Sequence, residues 1–187
     1  MKNAIPSSEL IINADGSIFH LHVKPQQLAD TVILVGDPGR VPLVAKHFET
    51  TECDISNREF RTITGTFRGK RMTVVSTGIG CDNIDIVLNE LDALANIDFE
   101  TRTVKPTLRS LIVVRIGTCG GLQPFTPIGT YVASAFSIGF DGLLNFYGGR
   151  DAACHLDMEA AFCRHMNWKG NQCIAHPYVV GADSELL

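Results

Sequence analysis

The sequence predicts an α/β domain built on a largely parallel or mixed sheet. Three observations carry that reading. Short apolar runs of strand type alternate with stretches of helical periodicity. Three of the runs end directly in glycine-containing turns, as strands do where the chain folds back into a helix or loop. The chain of 187 residues is 45% hydrophobic and 19% charged, which suffices for one sizeable core and hence a single domain over residues 1–187.

Residues 31–35 (TVILV) form an apolar run that breaks at Gly36-Asp37-Pro38, the pattern of a buried strand turning abruptly into a helix. Asp37 suits the N-cap and Pro38 the first helical position, where a missing N–H costs nothing; residues 40–48 continue the helix. Residues 58–67 and 71–76 flank Arg68-Gly69-Lys70 as arms of a β-hairpin, and the second arm runs into Thr77-Gly78-Ile79-Gly80. Over 83–95, Ile84, Val87, Leu88, Leu91, Leu94 and Ala95 recur at the spacing of an amphipathic helix, with Asp82 as its cap. Residues 98–109 are polar, contain Pro106 and read as a loop; residues 111–116 read as a strand ending in Gly117-Thr118-Cys119-Gly120-Gly121. A further strand is expected over 129–138, a glycine-rich loop over 140–150, a short helix over 157–166 and a last strand over 173–180.

The formal net charge of −4 lacks the basic footprint that nucleic-acid phosphates or an acidic membrane surface require, so neither is an expected partner. Charged residues, Gly or Pro interrupt every apolar run before it could cross a bilayer, and no long apolar run follows Lys2 as a signal peptide would need. A cytoplasmic location is expected. The six cysteines (Cys53, Cys81, Cys119, Cys154, Cys163, Cys173) contain no C-x-x-C pair and read as free thiols. Cys154-His155, Cys163 with His165, and Cys173 with His176 invite a zinc reading, but adjacent and i+2 side chains on a helix do not converge, so no metal is assigned to them.

Ligands of open α/β sheets gather at the carboxyl ends of strands, where the three glycine junctions fall. None is a G-x-G-x-x-G or a G-x-x-x-x-G-K-[ST], so neither a dinucleotide fold nor a P-loop is supported. The junctions carry arginines: Gly36 with Arg40, Arg58 in the hairpin, and Arg115 just before Gly117-Thr118. Glycine lets a backbone N–H approach an anion, a helix N-terminus adds partial positive charge, arginine offers a planar fork, and Thr118 adds a hydroxyl. Together they describe an oxyanion site. A plainer account stays open, with Arg40 solvated on a helix, Arg58 a strand-edge charge and Gly117 to Gly121 a mere turn. Arg115 fits that account least, because Leu111-Ile112-Val113-Val114 reads as a buried run and a buried arginine needs a partner.

Ile18-Phe19-His20-Leu21, Gly36-Asp37-Pro38-Gly39-Arg40-Val41, Asn57-Arg58-Glu59-Phe60, Ser76-Thr77-Gly78-Ile79-Gly80 and Arg115-Ile116-Gly117-Thr118-Cys119-Gly120-Gly121 resemble, in order and separation, the nucleoside phosphorylase family, uridine phosphorylases in particular. The likeness covers residues 20 to about 142, leaving 1–19 as an N-terminal extension. It implies a three-layer nucleoside phosphorylase-like fold, a central mixed sheet flanked by helices. The C-terminal part is expected to be missing, since the resemblance places the base-reading segment and the ribose-gripping Met-Glu pair beyond Leu187.

The activity implied is phosphorolysis of uridine to uracil and ribose 1-phosphate, with inorganic phosphate as co-substrate and no cofactor consumed. The resemblance assigns Gly36, Arg40, Arg115 and Thr118 to phosphate and implies that Arg58 joins them across a dimer interface. His20 would reach the ribose of the neighbouring site, with Thr118 as a second ribose contact; Arg40, Arg115 and Thr118 would carry the chemistry. A homo-oligomer follows, a dimer or a trimer of dimers. Glu59, Ile79 and Asn83 fall where some relatives hold potassium, with Asn83 in place of a hydroxyl residue. Asp37 remains a helix cap. Met158-Glu159 imitates the ribose-gripping pair but precedes the last expected strand, which suits the start of a peripheral helix, where acidic residues favour the dipole. Purine nucleoside phosphorylase shares the Gly-Asp-Pro-x-x-Arg and Arg-x-Gly-Thr motifs, Asp141-Gly142 leans towards uridine, and a truncated, non-catalytic binder of phosphate or nucleoside is the alternative from another class.

Overall fold

The computed structural model describes residues 4–167 and 176–187. The chain divides into two compact units, Met1–Cys119 and Gly120–Leu187, where the sequence was read as one domain.

The first unit is built on a five-stranded sheet of order β2-β3-β4-β1-β7. Its elements are β1 (Thr31–Val35), α1 (Val41–Ala45), β2 (Thr50–Asn57), β3 (Phe60–Phe67), β4 (Lys70–Ser76), α2 (Cys81–Asn96), β5 (Ile97–Asp98), β6 (Thr103–Val104) and β7 (Ile112–Arg115). β1 runs parallel to β4 on one side and β7 on the other, while β2, β3 and β4 form an antiparallel meander. β1 is apolar throughout because both its faces are covered. Val32 and Leu34 pack into one core with Leu28, Val75, Val87, Leu91 and Leu94, under α2. Ile33 and Val35 point the other way, to Val41, Val44, Ile63 and Val74, under α1. Alternation of side chains across a strand thus yields a helix–sheet–helix arrangement, the mixed α/β architecture expected. Leu10 and Ile18, from the N-terminal residues, are buried in the α2-side core.

Several elements differ from expectation for identifiable reasons. β2 was not foreseen: its sequence TTECDISN has no apolar run, because it is an edge strand with alternately exposed residues. Arg61 holds it through Asp54 (3.0 and 2.8 Å) and Arg71 through Glu52 (2.9 and 2.8 Å). In α2 the cap is Gly80, at φ 100°, and Asp82 lies inside the first turn. β5 and β6 pair within the stretch expected to be loop. β7 is the sheet's open edge, so Ile112, Val113 and Val114 are exposed rather than buried, and Arg115 with them. The apolar run misleads because, among the described residues, β7 pairs only with β1.

The second unit contains the antiparallel pair β8 (Phe136–Gly139) and β9 (Tyr178–Gly181), with α3 (Arg150–Ala153) and α4 (Leu156–His165). The strand expected over 129–138 is thus confined to its end; Thr130 N–H turns back to the Pro127 carbonyl (3.1 Å), which precludes an extended start. Part of the strand expected over 173–180, Cys173 included, lies outside the described residues. The glycine-rich loop holds a 3-10 turn at Leu143–Phe146, entered through the left-handed Gly142 (φ 79°). Glu159, in the first turn of α4, accepts from Arg150 Nη2 (2.8 Å) and from the Val179 N–H (3.0 Å). Burial pushes its carboxyl up, but those donors outweigh burial and hold it below the ordinary range. Glu159 thus ties the start of α4 to Arg150 and β9.

Gly65 on β3 is the tightest point of the meander: a Cβ there would strike the Thr50 carbonyl oxygen and lie 2.6 Å from Phe48 Cδ2. Gly65→Ala should lower the unfolding free energy by about 1–3 kcal/mol through overpacking. Leu94→Ala, fully buried under the sheet, should lower it by about 2–5 kcal/mol. Urea unfolding monitored by circular dichroism checks both, and a midpoint unchanged from wild type would refute the packing described.

Candidate functional site

Parallel pairing of β1 with β4 and β7 places three strand ends side by side. The Thr77 N–H donates to the Val35 carbonyl (2.8 Å) and the Ile116 N–H to the Leu34 carbonyl (2.8 Å), so the chain leaves all three strands at one level. The glycine junctions at Gly36, Gly78 and Gly117 are thereby brought together, as expected for carboxyl ends of such a sheet. They enclose a cleft of about 640 Å³ lined by Gly36, Arg40, Glu59, Arg115 and Thr118, with Asn83 and Ile84 from the first turn of α2.

Asp37 caps the 3-10 turn Pro38–Arg40 by accepting from the Gly39 N–H (2.7 Å). That turn delivers Arg40 to the cleft. Arg115, the last residue of β7, folds back over the sheet end: a Cβ at Gly36 would lie 3.8 Å from its Nη2, and one at Gly117 2.7 Å from Nη1. Only glycine at 117 leaves the guanidinium in place. Among the described residues, neither the Arg40 nor the Arg115 side chain has a hydrogen-bond or ion-pair partner. Elsewhere Arg61, Arg71, Arg109 and Arg150 are each paired with a carboxylate, while Arg58, Arg68 and Arg164, outside the cleft, have no such partner among the described residues. Two guanidinium groups, a threonine hydroxyl and a helix start thus face one cleft with their donors unspent, and an oxyanion is what such donors bind.

Two of the expected site residues, which the resemblance assigns to a neighbouring subunit's site, lie outside this cleft. Arg58 and His20 lie elsewhere in the unit. Arg58, at φ 54° in the β2–β3 turn, sits over the Phe19 ring at 5.6 Å, and His20 stands edge-on to Phe19 (4.8 Å) and Phe60 (6.4 Å). His20 lines a second cleft of about 520 Å³ together with Phe19 and Glu90. Glu90 was missed. Its partner is seventy residues away in sequence, at 2.7 Å in space. A signal existed, since Glu90 falls three residues after Val87 and four before Leu94 on the apolar stripe of α2, where a carboxylate needs partners.

Glu59, Ile79 and Asn83 do converge around Gly78 (φ 70°), where a Cβ would lie 2.7 Å from Asn83 Nδ2 and 3.1 Å from Glu59 Cγ. Asn83 Nδ2 donates to the Ile79 carbonyl (3.0 Å). That amide occupies one of the carbonyl's two lone pairs. Cys154 is half-buried, and burial raises its thiol above the ordinary value. Among the described residues no helix is long and apolar enough to cross a membrane.

Fold and cleft together define an α/β protein with an arginine-lined cleft at the ends of parallel strands. The model of the phosphorylase superfamily matches residues 30–176, and the chain belongs to that family. It is 30% identical to a uridine phosphorylase of Thermococcus kodakarensis over 141 residues, 75% of this chain and 46% of the relative. A DeoD-type purine nucleoside phosphorylase of Alkaliphilus metalliredigens is 32% identical over 137 residues, 72% of this chain and 53% of the relative. Among solved structures, a Trypanosoma brucei nucleoside phosphorylase described as showing uridine phosphorylase activity superposes with a TM-score of 0.80 at 31% identity, covering 95% of this chain and 59% of that one. The chain spans about half the length of the curated relatives it matches.

Arg115→Ala and Arg40→Ala should each weaken inorganic phosphate binding about 10- to 100-fold, the value of charge-assisted hydrogen bonds, without lowering the melting temperature, because neither guanidinium supports the fold. Calorimetric titration with phosphate and thermal melts check both. Undiminished phosphate binding by Arg115→Ala would remove the site from this cleft.

Proposed function

We propose that this chain carries the phosphate half of a nucleoside phosphorylase site and that the reaction is phosphorolysis of a nucleoside, with uridine as substrate. The observation that carries the reading is the pair of guanidinium groups, Arg40 and Arg115, without partners among the described residues and lining one cleft with the glycines of three adjacent strand ends. A phosphate dianion held there attacks C1′ of the ribose: a C1′–O bond forms, the glycosidic C1′–N bond breaks, and the base departs with the electron pair and takes up a proton. The transition state has oxocarbenium character, so the bound dianion is at once nucleophile and electrostatic stabiliser. Arg40 and Arg115 orient it, Thr118 supplies a hydroxyl between phosphate and ribose, and the Gly36 and Gly117 backbones allow close approach. Hydrolysis by water would not need two cations on an anion.

The choice of uridine rests on the Trypanosoma brucei structure, which aligns with nearly all of this chain. Relatives of purine type match at similar identity, so inosine is the competing substrate. Asp141 does not argue for either base: it accepts from the Tyr178 hydroxyl (2.8 Å to each oxygen) and from the Leu143 N–H (2.8 Å), which makes it a structural cap.

Arg58 and His20, grouped around Phe19 outside the cleft, are best suited to serve the cleft of a second copy, which makes a dimer the active unit in this reading.

Purified protein should release uracil from uridine only when phosphate is present, and faster than it releases hypoxanthine from inosine. Faster inosine turnover would reverse the base assignment; no turnover of either, with phosphate still bound, would leave a binding protein. Mixing the inactive variants Arg115→Ala and Arg58→Ala/His20→Ala should restore activity, since one cleft of each mixed dimer is intact. Failure to recover any would reject a shared site.

A further inference from the structure

Glu90 lies on α2, two turns after the Asn83 that lines the phosphate cleft. Its side chain is 12% exposed, and His20, which it holds, is 27% exposed. Oε1 accepts from the His20 backbone N–H (2.9 Å) and lies 2.7 Å from His20 Nδ1, while Oε2 accepts from the Leu21 N–H (2.9 Å) and is 3.2 Å from the His20 N–H. From the other side, Asn57 Nδ2 donates to the His20 carbonyl (2.7 Å). The histidine backbone is thus gripped at N–H and C=O by two elements distant in sequence, and its ring by the same carboxylate.

An ionised carboxylate has no proton to give, so the 2.7 Å contact requires the proton to be on Nδ1. In the neutral ring this leaves Nε2 with its lone pair free, an acceptor suited to a hydroxyl donor. We propose that Glu90 is a positioning residue that fixes His20 in the Nδ1–H form and in one rotamer, so that Nε2 accepts from a ribose hydroxyl. The inference rests on the ribose role given to His20 above. Glu90 contacts no substrate; it acts through His20. α2 then connects the two halves of the chemistry in one rigid piece, with Asn83 on the cleft of its own subunit and Glu90 behind the histidine offered to the next.

Glutamine at 90 separates this from simple bracing. It retains one acceptor oxygen, but its NH2 faces the donors that Oε2 had served, and the ring is free to move its proton to Nε2. In full-length protein with ¹⁵N-labelled histidine, wild-type His20 should show a protonated Nδ1 and an unprotonated Nε2 at alkaline pH. In Glu90→Gln the population should shift towards Nε2–H. Steady-state kinetics should show the nucleoside kcat/KM reduced about 10- to 100-fold with the phosphate KM unchanged, and Glu90→Gln/His20→Ala should be no worse than His20→Ala alone. Glu90→Asp should recover part of the loss. A wild-type ring protonated at Nε2, or losses that multiply in the double variant, would overturn the proposal. If wild type turns over no nucleoside, the phosphorolysis reading fails by itself, while the tautomer measurement still decides the role of Glu90; if Glu90→Gln does not fold, the wild-type tautomer decides it alone.

Discussion

Everything at the site depends on the place of β1 in the sheet, parallel to β4 on one side and to β7 on the other. Parallel neighbours share a direction, so their carboxyl ends coincide and three glycine turns leave from one level. Had β7 joined the far edge beside β2, three strands would separate Arg115 from Gly36. The close approach of its guanidinium to Gly36 and Gly117 is therefore a consequence of strand order. Burial of β1 on both faces is what makes that order stable, with Val32 and Leu34 in one core and Ile33 and Val35 in the other.

Among the described residues the side chains of Arg40, Arg58, Arg68, Arg115 and Arg164 form no hydrogen bond or ion pair, and of these Arg40 and Arg115 line the cleft. On the meander, Arg61 and Arg71 span strands to carboxylates and lower the pKa values of Asp54 and Glu52 through hydrogen bonds. Such exposed pairs contribute little stability, but they spend their donors. Among the described residues Arg40 and Arg115 spend none. Because Arg115 is exposed on an edge strand, it stays hydrated without a partner and bears none of the desolvation penalty of a buried cation.

The elements legible from sequence were those whose local pattern and tertiary environment agree. β1 and α2 read correctly because two-sided burial makes a strand continuously apolar and one-sided burial gives a helix its stripe. β2 escaped notice because an edge strand needs no apolar run, and β7 misled because its run lies on an open edge. Asp37 was read correctly as a cap, since that hydrogen bond spans two residues. Glu90 was not found, since the bonds that define it cross seventy.

By itself the sequence determined the class of the fold, the three strand-to-glycine junctions and the residues able to hold an anion, because each follows from periodicity or from short-range geometry. Only the tertiary structure decided that Gly36, Arg40, Arg115 and Thr118 share one cleft while Arg58 and His20 form another group, and that Arg40 and Arg115 are without partners among the described residues. It also decided which carboxylate holds His20. Strand order and helix packing set those distances, and they join residues that no local pattern in the chain connects.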